Sequence, residues 1–365
     1  MSNHPVPAGF HHERLKLARL AAGQSYPDIG RLLGVTRQYA HRLEVNATPS
    51  PVQLERLAQH LRVTEAFFHI PRQCPLEPEQ CHFRPLRSAT LGLKKTLAAQ
   101  VEVFETLLQQ LEQTVAFPEP RIPDIGDADI SSGDAIERLA EQLRRELELG
   151  LGPISSMTRL AEKAGVLLIQ LTEADARTGS FSLFNERPLI VCSGTPDSAC
   201  LQRFDLAHEI GHLVLHQGME TGCRQTEEQA NRFASALLMP RSAFAAEFPT
   251  MRGRYLSWSA LGEMKLRWRV SFKALLYRAG RLGLLTPAQV KSGFVHLARH
   301  GHARTEALDE RLPPESPELV QRAFDLLDHA DWQRLLEQTG LTRDVLAGRY
   351  RLELPRPRLA LVHSA

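Results

Sequence analysis

A helical stretch with two histidines four residues apart constrains this chain more than any other feature. Residues 203–216 read R-F-D-L-A-H-E-I-G-H-L-V-L-H, with no proline and with apolar residues at helical spacing. Residues four apart lie above one another on a helix, so the rings of His208 and His212 can reach a single ion. Glu209 follows about 100° around the axis, which places its carboxylate beside such an ion rather than among its ligands. The stretch therefore predicts one half of a metal centre.

A second helical stretch, 227–240, supplies a third ligand. It reads E-E-Q-A-N-R-F-A-S-A-L-L-M-P and stops at its final proline. Glu227 and Asn231 share one face, so we expect Glu227 to bind the ion while Asn231 hydrogen-bonds a ligand histidine. Two histidines, a glutamate and a water make a thermolysin-type zinc site. The alternative is a buried amphipathic helix with two satisfied histidines, and the third ligand argues against it.

Such a centre predicts peptide hydrolysis. Zinc lowers the pKa of a bound water to about 7, and Glu209 would take its proton as general base. The pattern H-E-x-x-H on a helix is typical of metallopeptidases. The predicted cofactor is one Zn²⁺ per chain.

The two stretches together resemble the ImmA/IrrE family of zinc metallopeptidases, and the resemblance extends through residues 256–285. It implies that His208, His212 and Glu227 bind zinc and that Glu209 is catalytic. It also implies a protein substrate, typically a repressor-like regulator cleaved in response to stress or to a mobile-element signal.

His216, one turn beyond His212, also matches the family's run. We interpret it, like Asn231, as a residue that supports the ligands or the fold rather than as a ligand.

Residues 1–70 predict an all-helical unit that contains a helix-turn-helix. A glycine turn at Gly34 separates two short helical stretches, and Thr36 can cap the second one. This segment holds eight Lys/Arg against five Asp/Glu, an excess that suits contact with phosphates. Arginine and glutamine read guanine and adenine edges in the major groove. The candidate DNA-contacting residues are Thr36, Arg37, Gln38, His41 and Arg42.

The run G-V-T-R-Q-Y-A-H-R-L-E (34–44) resembles the recognition helix of XRE-type (Cro/repressor-like) DNA-binding domains. The resemblance implies a double-stranded DNA operator as partner. In that family the closing glutamate, here Glu44, commonly pairs with an arginine of the first helix, here Arg14. Tyr26-Pro27 and Gly30 depart from the family's pattern. The alternative is a helical bundle that binds protein.

Residues 71–131 predict a proline-broken connector followed by a long linker helix. In that helix, apolar residues step by four and three over about two and a half heptads. They are Leu97, Val101, Phe104, Leu108, Leu111 and Val115. The seam predicts either a homodimeric coiled coil or a helix of an intramolecular core, and the residues leave both open.

A peptidase domain is predicted over 132–285, followed by a helical region of unassigned role over 286–365. The first helix of the peptidase domain, 134–149, is expected to expose Arg144. Apolar runs predict strands at 166–171, 179–183 and 188–192. In H-E-x-x-H peptidases an edge strand commonly holds substrate by strand addition, so 179–183 is the predicted shelf. Near the end of the domain, 256–285 repeats a helix-turn-helix pattern.

The predicted fold is mainly α with a small β-sheet: a helical DNA-binding domain, an α+β zincin-like domain and a helical C-terminal region. Five cysteines, odd in number and not closely paired, indicate free thiols in a reducing compartment. Neither a leader nor an apolar run of about 18 residues occurs, so we expect a cytoplasmic protein with no membrane partner.

Two functional hypotheses follow. The first is a DNA-binding zinc metallopeptidase that regulates transcription. The second is a non-catalytic XRE-type transcription factor whose peptidase-like domain senses metal or ligand. Glu209 favours the first, because a pure sensor has no need of a general base beside its metal.

Overall fold

The computed structural model describes residues 9–73, 75–77, 80–83, 90–126, 130–172, 180–184, 187–193, 198–219, 221–249, 256–299 and 305–354. Residues 74, 78–79, 84–89 and 127–129 of the predicted connector and linker region lie outside these residues, as does residue 179 of the predicted shelf. Packing divides the chain into two units. The first comprises Met1–Pro78, Thr90–Ala116 and Val320–Ala365, and the second comprises Glu79–Ala89 and Phe117–Leu319.

The described elements are mostly helices. In chain order they are α1 (His12–Ala21), α2 (Tyr26–Leu33), α3 (Arg37–Leu43), α4 (Pro51–Leu61), a 3₁₀ helix (Glu65–His69), β1 (His82–Phe83), α5 (Leu91–Leu111), α6 (Gly133–Glu146), α7 (Met157–Lys163), β2 (Leu167–Leu171), β3 (Phe181–Phe184), β4 (Pro188–Ser193), α8 (Ala199–Leu215), α9 (Arg224–Leu238), α10 (Arg241–Glu247), α11 (Trp258–Trp268), α12 (Phe272–Arg281), α13 (Pro287–Arg299), a 3₁₀ turn (Asp309–Arg311), α14 (Leu319–Asp325), α15 (His329–Thr339) and α16 (Arg343–Arg349). The predicted class, mainly helical with a small sheet, is confirmed. Among the described residues, no helix combines the length and apolar character needed to cross a membrane.

The first unit contains the predicted helix-turn-helix, formed by α2 and α3. Gly34 ends α2 in the left-handed conformation, with φ of 69°, and Thr36 caps α3 by accepting a bond from the Tyr39 amide. Gly30 is required by packing, since a Cβ there would lie 2.9 Å from the carbonyl oxygen of Val35. The departure from the family pattern at Gly30 therefore has a local steric reason.

Glu44 at the end of α3 is held by a different arginine from the predicted one. Arg19 Nε donates to Glu44 Oε1 at 2.5 Å, and the Tyr26 hydroxyl donates to Oε2 at 3.0 Å. Arg14 instead donates to the Phe67 carbonyl at 3.1 Å, with its guanidinium over the Phe67 ring. The prediction of an Arg14–Glu44 pair is wrong, because Arg14 is turned towards the 3₁₀ helix.

The heptad seam of α5 belongs to an intramolecular core. Its first five residues are at most 4% exposed, and only Val115 is half-buried. Helices α1 and α15 pack on α5. Gln100 Nε2 donates to the Ala21 carbonyl at 2.9 Å, and the Tyr350 hydroxyl donates to the Gln100 carbonyl at 2.8 Å. The coiled-coil alternative fails because the seam is already covered within one chain.

The C-terminal helices complete this first unit. The Thr64 amide donates to the Gly340 carbonyl at 2.9 Å, and the Thr342 hydroxyl donates to the Arg62 carbonyl at 2.7 Å. The division by packing thus differs from the predicted one. Residues 320–354 and α5 join the helix-turn-helix, whereas α13 packs on α12 in the second unit.

The second unit contains a four-stranded sheet in the order β1-β3-β4-β2. β3 runs antiparallel to β4, and β2 runs parallel to β4 with Leu167 opposite Leu189. β1 pairs antiparallel with β3. The predicted shelf is therefore not a free edge: its outer side at Phe181 and Ser182 is already paired.

A large apolar core joins the helices and the sheet of the second unit. It includes the inner faces of α6 to α13, with Trp268, Phe233 and Phe244 fully buried. Burial of aromatic side chains of this size dominates core energetics. This core fixes α8 and α9, which carry the candidate metal residues.

Several basic residues of this unit are buried, among them Arg144, which was expected to be exposed. Arg144 donates to the Leu237 carbonyl at 2.5 Å, and desolvation lowers its pKa to about 10, so its predicted exposure is wrong. Lys265 Nζ lies 2.9 Å from Glu306 and 2.7 Å from Asp309. Arg278 Nη1 donates to Glu137 Oε1 at 3.0 Å. The second helix-turn-helix-like segment is therefore a packed part of this unit.

Candidate metal centre

Helix α8 is buried along almost its whole length and crosses α9 closely. Ser198 caps it by accepting a bond from the Leu201 amide at 3.2 Å. Gly211 faces α9, where a Cβ would lie 3.2 Å from the Ala230 carbonyl oxygen. The glycine between the two histidines of the motif thus allows the close approach that brings Glu227 to them.

Three donor atoms converge between α8 and α9. The Nε2 atoms of His208 and His212 are 3.0 Å apart, and the Glu227 carboxylate oxygens lie 3.5 Å and 3.4 Å from them. Ligands at 2.0–2.1 Å from a tetrahedral zinc are separated by roughly 3.3 Å. The described residues contain one cluster of metal-binding side chains, and it is this one. Its spacing and donor set fit one zinc ion with a fourth position left over.

Asn231 orients His208. Its Oδ1 lies 3.0 Å from His208 Nδ1. The amide oxygen accepts, so Nδ1 carries the proton and Nε2 keeps its lone pair towards Glu227 and His212. The structure therefore brings Asn231 to the supporting position that its spacing from Glu227 predicts.

A chain of three hydrogen bonds orients His212. Its Nδ1 lies 3.0 Å from Nδ1 of His216, whose Nε2 lies 3.0 Å from Gln229 Oε1, and Gln229 Nε2 donates to the Ile130 carbonyl at 3.0 Å. When His212 Nε2 keeps its lone pair, each donor in this chain meets one acceptor. Burial lowers the pKa of His216, which favours the neutral ring that this chain requires. His216 hydrogen-bonds His212 and is not among the three converging donors.

Glu209 lies fully buried beside the cluster. The Ser182 hydroxyl, on β3, donates to Glu209 Oε2 at 2.8 Å, and both residues are 0% exposed. Helix α8 contacts β3 and β4, so the sheet holds the face of the helix that carries Glu209. Sequence reasoning missed Ser182, because nothing in a four-residue strand tells which side chain faces α8. It also missed Gln229, although its position two residues after Glu227 was visible.

The candidate DNA-contacting residues lie in the first unit. Arg37, Gln38, His41 and Arg42 are exposed on α3, and Thr36 is exposed while capping it. The His41 ring packs edge-on against Tyr26 at 5.1 Å. Exposure on one short helix is what base contact requires, and the contact itself stays a prediction.

Comparison with known families agrees with this geometry. Residues 161–279 match a family model described as the IrrE N-terminal-like domain, and residues 13–67 match a model of a helix-turn-helix domain. No curated protein matches the chain significantly. The chain thus combines an N-terminal helix-turn-helix domain with a domain of the ImmA/IrrE peptidase type.

Proposed function

We propose that this chain is a DNA-binding transcriptional regulator that hydrolyses a peptide bond in a protein substrate with zinc as cofactor. One observation supports the proposal above the others: Glu209, which is not among the converging donors, is buried beside them and held there by Ser182. A carboxylate costs free energy to bury, and a purely structural metal site does not need one at this position.

The residues divide the chemistry between them. His208, His212 and Glu227 would hold zinc, while Asn231 and His216 fix the tautomers of the two histidines. When bound, zinc supplies the Lewis acidity that acidifies water and polarises a carbonyl group. Glu209 would accept the proton of the water and return it to the leaving amine.

The helix-turn-helix suits a double-stranded DNA operator, with Thr36, Arg37, Gln38, His41 and Arg42 as the contacting residues. The resemblance to the ImmA/IrrE family favours a repressor-like regulatory protein as substrate, cleaved during stress or a mobile-element response. DNA binding would then bring the peptidase near proteins that act at the same promoter.

The test compares the zinc-loaded protein with its Glu209→Gln variant. This change keeps the size and hydrogen-bonding capacity of the side chain and removes the base, so we expect cleavage to fall about 10²–10⁴-fold. Each protein is incubated with a cell lysate, and new N-termini are identified by mass spectrometry. Zinc content and operator affinity should stay unchanged, because Glu209 is neither a ligand nor part of the DNA-binding unit.

The two functional hypotheses predict different results in cells. For a peptidase, Glu209→Gln should disturb expression from the bound promoter as strongly as His212→Ala does. For a non-catalytic sensor, Glu209→Gln should regulate normally while His212→Ala does not. Normal regulation by Glu209→Gln, together with no cleavage by the unmodified protein in the lysate, would contradict the proposed function.

A further inference from the structure

Strand β1 occupies the outer edge of the sheet next to the candidate metal centre. It pairs antiparallel with β3, with His82 opposite Ser182 and Phe83 opposite Phe181. The other edge of β3 is paired with β4 over Phe181–Phe184. Each strand has two hydrogen-bonding edges, so both edges of β3 are in use at Phe181 and Ser182.

The position of β1 along β3 matters because of Ser182. This residue, opposite His82, is the one whose hydroxyl donates to Glu209 at 2.8 Å. Neighbouring strands are about 4.8 Å apart. A backbone paired with β3 in this register therefore runs one strand spacing from the residue that holds the candidate general base.

We propose that β1 closes the predicted substrate shelf, the outer edge of β3, in the resting chain, so that an extended peptide substrate can add to this edge only after it displaces β1. The inference rests on the proposed peptidase function. Strand addition gains affinity from main-chain hydrogen bonds along a free edge. Two segments cannot pair with the same edge at once, so a substrate must displace β1.

β1 is short, which makes it easier for a substrate strand to displace it from the edge of β3. It pairs through two residues, whereas β3 has four. A substrate that pairs along all of Phe181–Phe184 replaces a shorter ladder with a longer one.

Proline substitution tests this inference, because proline cannot donate a ladder hydrogen bond. Pairs in an antiparallel ladder alternate in hydrogen bonding, so both positions are changed, as His82→Pro with Phe83→Pro. The matched control is Gln73→Pro with Glu77→Pro, at two exposed positions outside any helix or strand. All proteins carry Glu209→Gln and are loaded with zinc, so binding is measured without cleavage.

The probe is a fluorescein-labelled peptide with the chain's own sequence from 80 to 86, with Cys81→Ser to prevent oxidation. We expect anisotropy to show at least tenfold tighter binding to the β1 variant than to the control. A smaller ratio would overturn the proposal. Zinc content checks the fold, and if the proline variant loses zinc, His82→Gly with Phe83→Gly replaces it in the same comparison.

Hydrogen exchange locates the bound peptide. In the β1 variant, the peptide should slow exchange of the amides of Phe181–Phe184, and in the control it should not. Binding that protects another region instead would refute the edge as the docking surface. These readouts do not depend on turnover, so tight binding at β3 without any cleavage in the lysate experiment would refute the proposed function and leave the edge assignment standing.

Discussion

At the scale of single residues, the candidate site depends on which atoms face a common point. His208 and His212 meet Glu227 because α8 and α9 cross at Gly211, where any side chain would press on the Ala230 backbone. Two imidazoles and one carboxylate do not select zinc over other first-row metals by themselves. Binding of an ion at this site does, however, require all three donors.

Zinc content should follow these donors. We expect His212→Ala to lose most of the metal, because it removes one of three ligands and leaves the other two on separate helices. Glu227→Gln should weaken binding more mildly, since an amide oxygen remains. Glu228→Gln is the matched control, because its side chain is exposed and pairs with Arg224. Elemental analysis of the purified proteins measures this, and unchanged zinc in His212→Ala would refute the assignment.

The hydrogen-bond chain behind His212 makes a separate prediction. Gln229→Leu keeps the side chain's volume but removes the acceptor for His216 Nε2, so the tautomer of His212 loses its support. Partners of this kind typically contribute 10- to 100-fold in metal affinity, so we expect a loss of about that size. Gln225→Leu, exposed on the same helix, is the control. Competition with a zinc chelator measures both, and equal affinities would show that the chain has no orienting role.

The residues of this site differ in how far the sequence could predict them. Spacing on a helix is fixed, so His208 and His212 could be placed on one helix face, and Glu227 and Asn231 on another, from the sequence alone. Helix spacing does not show that the two faces meet. Ser182 could not be placed, because its position depends on which edge and face of a short strand meets α8. The Arg19–Glu44 pair was missed for a similar reason, since α1 carries two arginines and only packing against Phe67 turns Arg14 away.

At the scale of elements, α3 is short, capped and exposed on the face that carries its polar residues. Its N-cap Thr36 and the ion pair of Glu44 at its C-terminus fix both ends of the helix. A seven-residue helix has little stability of its own, so these contacts and the packing of Ala40 and Leu43 hold it. Such a helix can present side chains to a groove without rearrangement.

Sequence-specific DNA binding should therefore depend on α3. Arg37→Ala or Gln38→Ala should each weaken binding to the operator by about 1–3 kcal/mol, the value of a good base contact. Arg56→Ala, an exposed arginine on α4, should have a smaller effect that does not depend on sequence. Fluorescence anisotropy with operator and scrambled duplexes measures this. The assignment of α3 would be wrong if binding depended on salt but not on the DNA sequence and if Arg37→Ala and Arg56→Ala weakened it equally.

At the scale of elements, the sequence predicted strands but not the order in which they pair. Three strands were predicted, and the antiparallel pair β3 and β4 is present. The parallel partner of β4 is β2. β4 therefore lies between β3 and β2, which both precede it in the chain, and no local sequence pattern indicates this order. The two-residue β1 is too short for any periodicity, and it comes from a segment interpreted as a connector.

At the scale of the whole molecule, segments distant in sequence complete each unit. None of the four described cysteines, Cys81, Cys192, Cys200 and Cys223, forms a disulfide, so no such bond among them holds these segments together. The first unit closes instead through packing, with the Tyr350 ring 5.0 Å from that of Phe104. A hydropathy pattern gives the helices of 320–354 but not their partner, because many faces of similar polarity compete for them.

The last prediction tests whether the C-terminal helices belong to the DNA-binding unit. Leu346 on α16 is 0% exposed, so Leu346→Ala should cost about 2–5 kcal/mol in the free energy of unfolding of that unit. Leu326→Ala, at a position 73% exposed in the same segment, is the control and should cost little. Thermal unfolding, operator affinity near the transition and zinc content are measured on the full chain. We expect Leu346→Ala to lose operator binding at a lower temperature than Leu326→Ala while its zinc content stays the same, because the metal centre lies in the core of the other unit. If Leu346→Ala instead released zinc and left operator binding intact, the assignment of 320–354 to the DNA-binding unit would be wrong.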